Sequence, residues 1–243
     1  MPDFVMPLPL ALDVVSLTMG LVNVESLTGA EGPLADSVEQ ALRTLPHLDV
    51  ERFGDTVVAR SALGRAERVV VAGHLDTVPG DGEDEVLAYV EMGRLFGLGA
   101  CDAKGGLAVA LKVAALADTG RDATYVFWSG EEGDGESGLE ALARKRPDVL
   151  RGDLAVVLEP TGAGVEVDDE LGESAAVAAF ASALGTEPVP ATDRTAARLL
   201  AGLGTPAVTF GPGDPLLAHT REEHVPTAQL TECEHLLRTW VAG

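Results

Sequence analysis

Short apolar runs that end beside a metal-binding side chain recur through this sequence, and they constrain the fold more than any other feature. Each run is bounded by turn residues, which is typical of strands buried in a sheet. The associations are 68–73 with His74, 123–128 with Glu131 and Glu132, 154–158 with Glu159, and the glycine-rich loop 97–106 with Asp102. In open α/β sheets the carboxyl ends of the strands form the ligand-binding edge, so we expect these side chains to converge there.

Strands and helices alternate along the chain. Apolar residues at helical spacing predict helices at 10–24, 33–45, 107–116, 139–144, 171–184, 195–203 and 227–241. Strands are predicted at 48–53, 56–59, 68–73, 87–90, 123–128, 154–158, 165–167 and 207–210. This order predicts the α/β class, as a three-layer αβα sandwich with a mostly parallel central sheet, and a single domain over residues 1–243.

The charge balance excludes some partners. The chain has 39 Asp and Glu against 17 Lys and Arg, a formal net charge of -22, which repels nucleic acid and anionic membranes. Cys101 and Cys233 are too few for a disulfide framework and suggest a reducing compartment. Neither a basic leader nor a membrane-length apolar run is evident. We therefore expect a cytoplasmic protein that binds neither nucleic acid nor membranes.

The collected polar residues match the chemistry of a metal pair. Two imidazoles and three carboxylates form a ligand set for two divalent ions that jointly activate one water. They belong to His74, His219, Asp102, Glu132 and Glu159. Nitrogen and oxygen ligands without thiolate favour Zn²⁺, with Co²⁺ or Mn²⁺ as alternatives. A surface loop around His74, a turn cap at Asp76 and a phosphate cradle in loop 97–106 are the competing interpretations, although Asp102 argues against bound phosphate.

Five ordered motifs carry a resemblance to a known family. They are Gly-His74-Leu-Asp76-Thr-Val-Pro, Gly-Ala-Cys-Asp102-Ala-Lys-Gly-Gly, Glu131-Glu132, Leu-Glu159-Pro-Thr and Ala-His219-Thr-x-x-Glu223. In this order they resemble the M20 dizinc amidohydrolases and peptidases. The run 204–219 is most similar, within that family, to the actinobacterial succinyl-diaminopimelate desuccinylases.

The resemblance implies a role for each matching residue. It implies His74 and Glu159 on one zinc and Glu132 and His219 on the other, with Asp102 bridging. It also implies Glu131 as general base, Asp76 as the residue that orients His74, and a cis peptide after Asp102. Substrate contacts are expected at Thr192, Asp193, Gly211 and Gly213. No ligand position matches His47, His224 or His235, and we interpret Cys101 as a packing residue.

The sequence departs from the family in one respect. The family inserts a second domain, called the lid here, soon after the Glu-Pro-Thr motif, but only 59 residues separate Glu159 from His219. A lid of about 100 residues does not fit there beside the catalytic domain's own elements. We expect it to be missing between about 162 and 165, by engineered deletion or natural shortening. The family's lid supplies a carbonyl-polarising histidine and the dimer surface, so the resemblance implies weak desuccinylation and a monomer.

Three functions stay open at this stage. The first is a zinc-dependent amide hydrolase of the N-succinyl-diaminopimelate desuccinylase type, acting on a small N-acyl amino acid and impaired without the lid. The second is a single-domain dizinc aminopeptidase or carboxypeptidase, which needs no lid. The third is a non-catalytic metal-binding scaffold. The motif that ends at His219 favours the first.

Overall fold

A computed structural model describes residues 7–79, 87–168, 174–191 and 195–243. The helices are α1 Val14–Val22, α2 Gly32–Arg43, α3 Gly105–Ala114, α4 Gly138–Lys145, α5 Ala175–Leu184, α6 Thr195–Gly202 and α7 Thr227–Ala242. The strands are β1 Leu48–Phe53, β2 Thr56–Ser61, β3 Arg68–His74, β4 Tyr89–Glu91, β5 Arg94–Phe96, β6 Asp122–Trp128, β7 Leu154–Val157, β8 Val165–Val167, β9 Val189–Pro190, β10 Ala207–Phe210 and β11 His224–Pro226.

Eight strands form one central sheet in the order β1-β2-β6-β3-β7-β10-β8-β9. Its middle, from β6 through β3 and β7 to β10, is parallel, whereas β1, β2 and β8 pair antiparallel with their inner neighbours. The prediction of a mostly parallel central sheet is confirmed. Parallel strands align their carboxyl ends, so this middle part presents one shared edge for a site.

Helices cover both faces of the sheet. In β3, Val69 and Val71 point into the larger core, beneath α1, α2, α3, α5 and α7. Val70 and Ala72 alternate with them and point into the smaller core, beneath α4 and α6. Because successive side chains in a strand face opposite sides, an unbroken apolar run is what a doubly covered strand requires. The three-layer αβα arrangement is confirmed.

Local capping explains where some predicted helices begin. The helix predicted from residue 10 begins at Val14, because the side chain of Asp13 accepts a hydrogen bond from the Ser16 N–H at 2.9 Å and so caps the first turn. Residues 171–173 of another predicted helix lie outside the described residues, and the helix runs from Ala175. The apolar spacing therefore located both helices, and a polar cap sets the first residue of α1.

A second, antiparallel sheet has the order β11-β5-β4, and only β4 was predicted, as the strand at 87–90. It joins His224 of β11 to Phe96 of β5 across 128 positions of sequence. Strands β5 and β11 have three residues each and no apolar run of their own, so the sequence pattern did not indicate them.

The described residues between Glu159 and His219 continue the central sheet and its helices. After Gly164 the chain enters β8 directly, and β8 pairs with β10 in the central sheet. Within the described residues of this segment there is no separate lid domain. None of the helices in the described part of the chain has both the length and the apolar character needed to cross a membrane.

Candidate metal centre

The predicted site residues lie where parallel strands end. His74 is the last residue of β3 and pairs in register with Trp128, the last residue of β6. Glu131 and Glu132 follow β6 within four residues, and Glu159 follows β7 within two. Strand direction therefore brings residues that are distant in sequence to one edge of the sheet.

Five side chains, which we call the ligand cluster, form two groups that share Asp102. Each residue offers a nitrogen or oxygen ligand atom, and within each group these atoms lie within 4.8 Å of one another. The first group is His74, Asp102 and Glu159, and the second is Asp102, Glu132 and His219. The structure thus brings together all five residues that the sequence proposed as ligands, in the same pairing.

Asp102 points one carboxylate oxygen at each of the two imidazoles. Asp102 Oδ1 lies 3.0 Å from His74 Nε2, and Asp102 Oδ2 lies 3.4 Å from His219 Nε2. Glu159 Oε2 is 3.7 Å from His74 Nε2, and Glu132 Oε1 is 3.2 Å from His219 Nε2. Asp102 therefore faces both groups with different oxygens, as a bridging carboxylate does.

Asp76 connects two parts of the site. The Nδ1 atom of His74 lies 3.0 Å from the main-chain oxygen of Asp76 and 3.6 Å from its carboxylate. When Nδ1 carries the hydrogen and donates it to this oxygen, the lone pair of Nε2 points at the ligand cluster. The carboxylate itself accepts hydrogen bonds from the N–H groups of Glu131 at 3.0 Å and Glu132 at 2.9 Å, and from Thr28. Asp76 thus contacts His74 chiefly through its main chain, and its side chain holds the turn that carries both glutamates.

The loop with Asp102 is held by a residue to which sequence reasoning gave no role. The carboxylate of Glu223 accepts hydrogen bonds from the N–H groups of Gly99, Cys101 and Asp102, at 3.0, 3.0 and 3.2 Å. Glu223 is only 3% exposed. The Asp102–Ala103 peptide is cis, as the resemblance predicts. The sequence feature that could have identified Glu223 is its place at the end of the motif Ala-His219-Thr-x-x-Glu223.

His219 is the accessible member of the ligand cluster. Its side chain is 43% exposed, compared with 12% for Asp102 and 1% for His74. It lies in a loop and adopts a positive φ of 63°, a conformation that a non-glycine residue rarely takes. The ligand cluster is therefore buried on the His74 side and open to solvent on the His219 side.

Glu131 stands beside the ligand cluster rather than in either group. Its Oε2 accepts a hydrogen bond of 2.7 Å from the indole N–H of Trp128. The Trp128 ring also packs against His74, with ring centroids 6.0 Å apart. Trp128 is completely buried, so it provides a fixed donor that orients the Glu131 carboxylate. Sequence reasoning treated Trp128 only as part of a strand.

Charge distribution fits a divalent cation. Burial alone would lower the pKa of His74, but the carboxylates of Glu159, Asp102 and Asp76 raise it well above its usual value. Burial of Asp76 opposes its ionisation, yet the neighbouring His74 imidazole and the N–H groups of Glu132 and Glu131 lower its pKa to about 2. The negative potential that these carboxylates create at an imidazole equally attracts a metal ion, and nitrogen and oxygen donors suit zinc.

The predicted substrate residues have mixed outcomes. Thr192 and Asp193 lie outside the described residues. The N–H groups of Gly211 and Gly213 donate hydrogen bonds to Thr161 Oγ1 at 3.0 Å and to Gln229 Oε1 at 2.9 Å. A Cβ at Gly211 would lie 2.5 Å from the main-chain oxygen of Glu159. Close packing thus accounts for these glycines, and their contact with substrate stays a prediction.

Other titratable residues lie apart from the two groups. His47 contacts the Ala114 main-chain oxygen at 2.9 Å, His224 packs against Phe96 at 4.9 Å, and His235 is exposed. Burial raises the pKa of the Cys101 thiol, with help from nearby Glu223. A buried thiol that stays protonated is a packing group rather than a metal ligand.

Curated relatives resemble part of the chain. The succinyl-diaminopimelate desuccinylase of Corynebacterium glutamicum is 40% identical over 161 residues, which cover 63% of this chain and 43% of that protein. A putative succinyl-diaminopimelate desuccinylase of Mycobacterium tuberculosis is 41% identical over 157 residues, covering 63% of this chain and 44% of the relative. The match thus spans less than half the length of each relative.

Solved structures share the fold. Aminopeptidase PepT from Bacillus cereus superimposes with a TM-score of 0.75 at 14% identity, over 94% of this chain and 97% of that one. An M20 family metallo-carboxypeptidase from Sulfolobus solfataricus gives a TM-score of 0.53 at 19% identity, over 63% of this chain and 38% of that one. The sequence model of peptidase family M20/M25/M40 matches residues 70–242, a range that contains the whole ligand cluster. The chain therefore belongs to this peptidase family.

Proposed function

We propose that this chain is a divalent-metal-dependent hydrolase of amide bonds, of the N-succinyl-diaminopimelate desuccinylase type, with two Zn²⁺ ions. The observation that carries the proposal is the pair of three-residue groups that share Asp102. A carboxylate that faces an imidazole on each side is what a two-metal hydrolase requires. The names of the two desuccinylase relatives support the substrate class.

Each metal has its own set of ligands in this proposal. His74 and Glu159 would hold the first ion, Glu132 and His219 would hold the second, and Asp102 is shared by both groups. Bound divalent metal would supply a Lewis acid for the scissile carbonyl and lower the pKa of the attacking water. The exposure of His219 leaves the second side of the cluster open for the substrate to approach.

Glu131 moves the proton in the proposed reaction. Its carboxylate takes a proton from the attacking water and passes it to the amide nitrogen as the C–N bond breaks. The N–H of Trp128 holds one oxygen of Glu131 at 2.7 Å. Asp76 holds the main-chain N–H of Glu131 at 3.0 Å. These two contacts fix the base relative to the ligand cluster.

A cavity next to the ligand cluster contains one guanidinium group. It has a volume of about 420 Å³, and it shares Glu166 and Pro215 with a smaller cavity that Asp102 and Glu159 line. Arg94 lines the larger cavity together with the carboxylates of Glu166 and Asp214. A guanidinium binds carboxylates, so Arg94 is the residue that we propose for a further carboxylate of an N-acyl amino acid.

The experiment replaces Glu131 with Gln and measures zinc content together with hydrolysis of a panel of N-acyl amino acids that includes N-succinyl-diaminopimelate. Removing a general base typically costs 10²- to 10⁴-fold in rate, so we expect at least a 100-fold lower kcat with two zinc ions still bound. Glu136→Gln is the matched control. Glu136 lies in the same loop, but it pairs with Arg144 at the surface.

Three results would contradict the proposal. Failure of the wild-type protein to bind zinc would rule out the proposed metal centre. An unchanged kcat in Glu131→Gln would rule out Glu131 as the general base. Cleavage of peptide anilides without any hydrolysis of acylated amino acids would replace the desuccinylase assignment with a peptidase.

A further inference from the structure

We propose that Glu223 is a positioning residue that sets Asp102 and His219 at metal-binding distance from each other. Glu223 belongs to neither group of the ligand cluster, so we assign it an effect through the main chain of two loops. This inference rests on the proposed function, because it assumes that the ligand cluster binds divalent metal.

One side of Glu223 holds the Asp102 loop. Its Oε1 accepts from the N–H groups of Cys101 and Asp102, and its Oε2 accepts from the N–H of Gly99. These hydrogen bonds reach the residue before Asp102 and Asp102 itself. Three N–H donors on one carboxylate leave the loop little freedom to rotate, and charge-assisted hydrogen bonds of this kind are among the stronger ones.

The other side of Glu223 holds the His219 loop. Its main-chain N–H donates to the oxygen of Thr220 at 3.2 Å, and its main-chain oxygen accepts from Gly97 N–H at 3.2 Å. Thr220 follows His219 directly, while Gly97 begins the loop that leads to Asp102. Glu223 is thus hydrogen-bonded to the main chain of both loops. The two loops carry Asp102 and His219, whose Oδ2 and Nε2 atoms lie 3.4 Å apart.

Glu223 lies in the protein interior, away from solvent. Glu223 is 3% exposed and Lys104 is 2% exposed, and the Lys104 ammonium donates to the Val24 main-chain oxygen at 2.7 Å. A carboxylate buried at this depth is unfavourable unless its oxygens are hydrogen-bonded. The N–H groups of the Asp102 loop donate these hydrogen bonds, so a movement of the carboxylate or of the loop alone would leave buried polar groups without partners.

The test compares Glu223→Gln with Asp122→Asn. Asp122 is a matched control, because it is also a buried carboxylate with three main-chain N–H donors, but it holds the loop 63–65 at the other end of the sheet. Both changes remove one negative charge without changing shape. Binding of Co²⁺ is measured by calorimetry and by its visible absorption spectrum, and folding by urea denaturation.

We expect Glu223→Gln to weaken Co²⁺ binding by about 10- to 100-fold, the usual effect of losing a residue behind a metal ligand, and to alter the Co²⁺ spectrum. Asp122→Asn should bind Co²⁺ as the wild type does although it is less stable. Equal affinity and an unchanged spectrum for Glu223→Gln would overturn the inference alone. Equal losses in both variants would overturn it too, because they would show a general effect of stability.

Two further outcomes are decisive. Wild-type protein that fails to bind Co²⁺ would overturn both this inference and the proposed function. If Glu223→Gln does not fold, Glu223→Asp is measured in its place, since it keeps the charge but draws the carboxylate back by one methylene. Weaker binding by folded Glu223→Asp supports the positioning role, and wild-type binding overturns it.

Discussion

At the scale of single residues, carboxylates with low exposure have two kinds of surroundings. Asp76, Asp122 and Glu223 accept several main-chain N–H groups each. The carboxylates of the ligand cluster instead face imidazoles and one another. The first arrangement compensates burial of the charge within the protein, whereas the second concentrates negative charge that only a cation balances. The same residue type therefore serves structure in one place and binding in another.

Asp122 gives the chain a stability that depends on pH. Burial works against its charge, but the N–H groups of Leu63 and Arg65 outweigh burial and hold its pKa below the usual value. A lowered folded-state pKa contributes stability above the unfolded pKa of about 3.9 and loses it as pH falls through the folded pKa. We expect Asp122→Asn to lower the unfolding free energy by about 1–3 kcal/mol at pH 7.

Urea denaturation at pH 7, 4 and 3 measures this effect. The difference between wild type and Asp122→Asn should shrink below pH 4, because the Asp122 carboxyl of the unfolded chain takes up a proton there, whereas the folded chain protonates only at lower pH. A difference that stays constant down to pH 3 would contradict the assigned role of the charge.

Gly211 has no room for a side chain. A Cβ there would meet the main-chain oxygen of Glu159 at 2.5 Å, so Gly211→Ala must displace the segment that carries a proposed ligand. Forced repacking of this kind costs about 1–3 kcal/mol. We expect both a lower unfolding free energy and weaker zinc binding.

Gly202→Ala is the control for this substitution. Gly202 ends α6 and has nothing within 4 Å of its Cβ position. Alanine should therefore stabilise the chain by up to about 1 kcal/mol. Thermal denaturation with and without zinc distinguishes the two variants, and equal effects of both substitutions would contradict the packing argument.

At the scale of elements, side-chain capping sets where α4 begins. Ser137 Oγ accepts from the Glu140 N–H at 3.2 Å, and Glu140 accepts from the Ser137 N–H at 2.8 Å, which together form a capping box. Ser137→Ala should cost about 1 kcal/mol of unfolding free energy. Ser182→Ala, inside α5, should be neutral or slightly stabilising. Chemical denaturation compares the two variants, and a neutral Ser137→Ala would show that the capping box contributes nothing.

All strands of the central sheet except β9 could be predicted from the sequence, whereas in the smaller sheet only β4 was predicted. Unbroken apolar runs such as β3 and β6 carry their own pattern, since both faces are buried. Strand β11 has no such pattern, because its contact with β5 depends on tertiary structure. The ligand cluster was predictable because strand direction and motif order coincide. The roles of Glu223 and Trp128 were not, since they depend on side-chain contacts that no spacing encodes.

At the scale of the whole molecule, the negative net charge favours binding of metal ions, and bound metal ions in turn stabilise the folded chain. The formal net charge of -22 raises the concentration of cations near the surface. The negative charges also repel one another in the folded state, and bound divalent cations reduce this repulsion. Ligands that bind only the folded state stabilise it by mass action. The chain is therefore expected to be more stable with its metals than after chelation.

The absence of a lid among the described residues limits what the whole molecule is expected to do. The resemblance implies that the family's lid carries the dimer surface and a histidine that polarises the scissile carbonyl, so we propose a monomer without that donor. Losing an oxyanion-stabilising donor typically costs 10²- to 10³-fold in rate. With zinc in excess, we expect kcat for N-succinyl-diaminopimelate to be lower by that factor than for the Corynebacterium glutamicum relative.

Zinc content and oligomeric state decide whether a low rate has this cause. Two bound zinc ions, a monomer by light scattering and a kcat that Glu131→Gln lowers further would together locate the deficit in the missing donor, because the metal centre and the base would both be intact. A rate equal to that of the full-length relative would show that the catalytic domain supplies its own oxyanion stabilisation, and the proposed contribution of the lid would then be wrong.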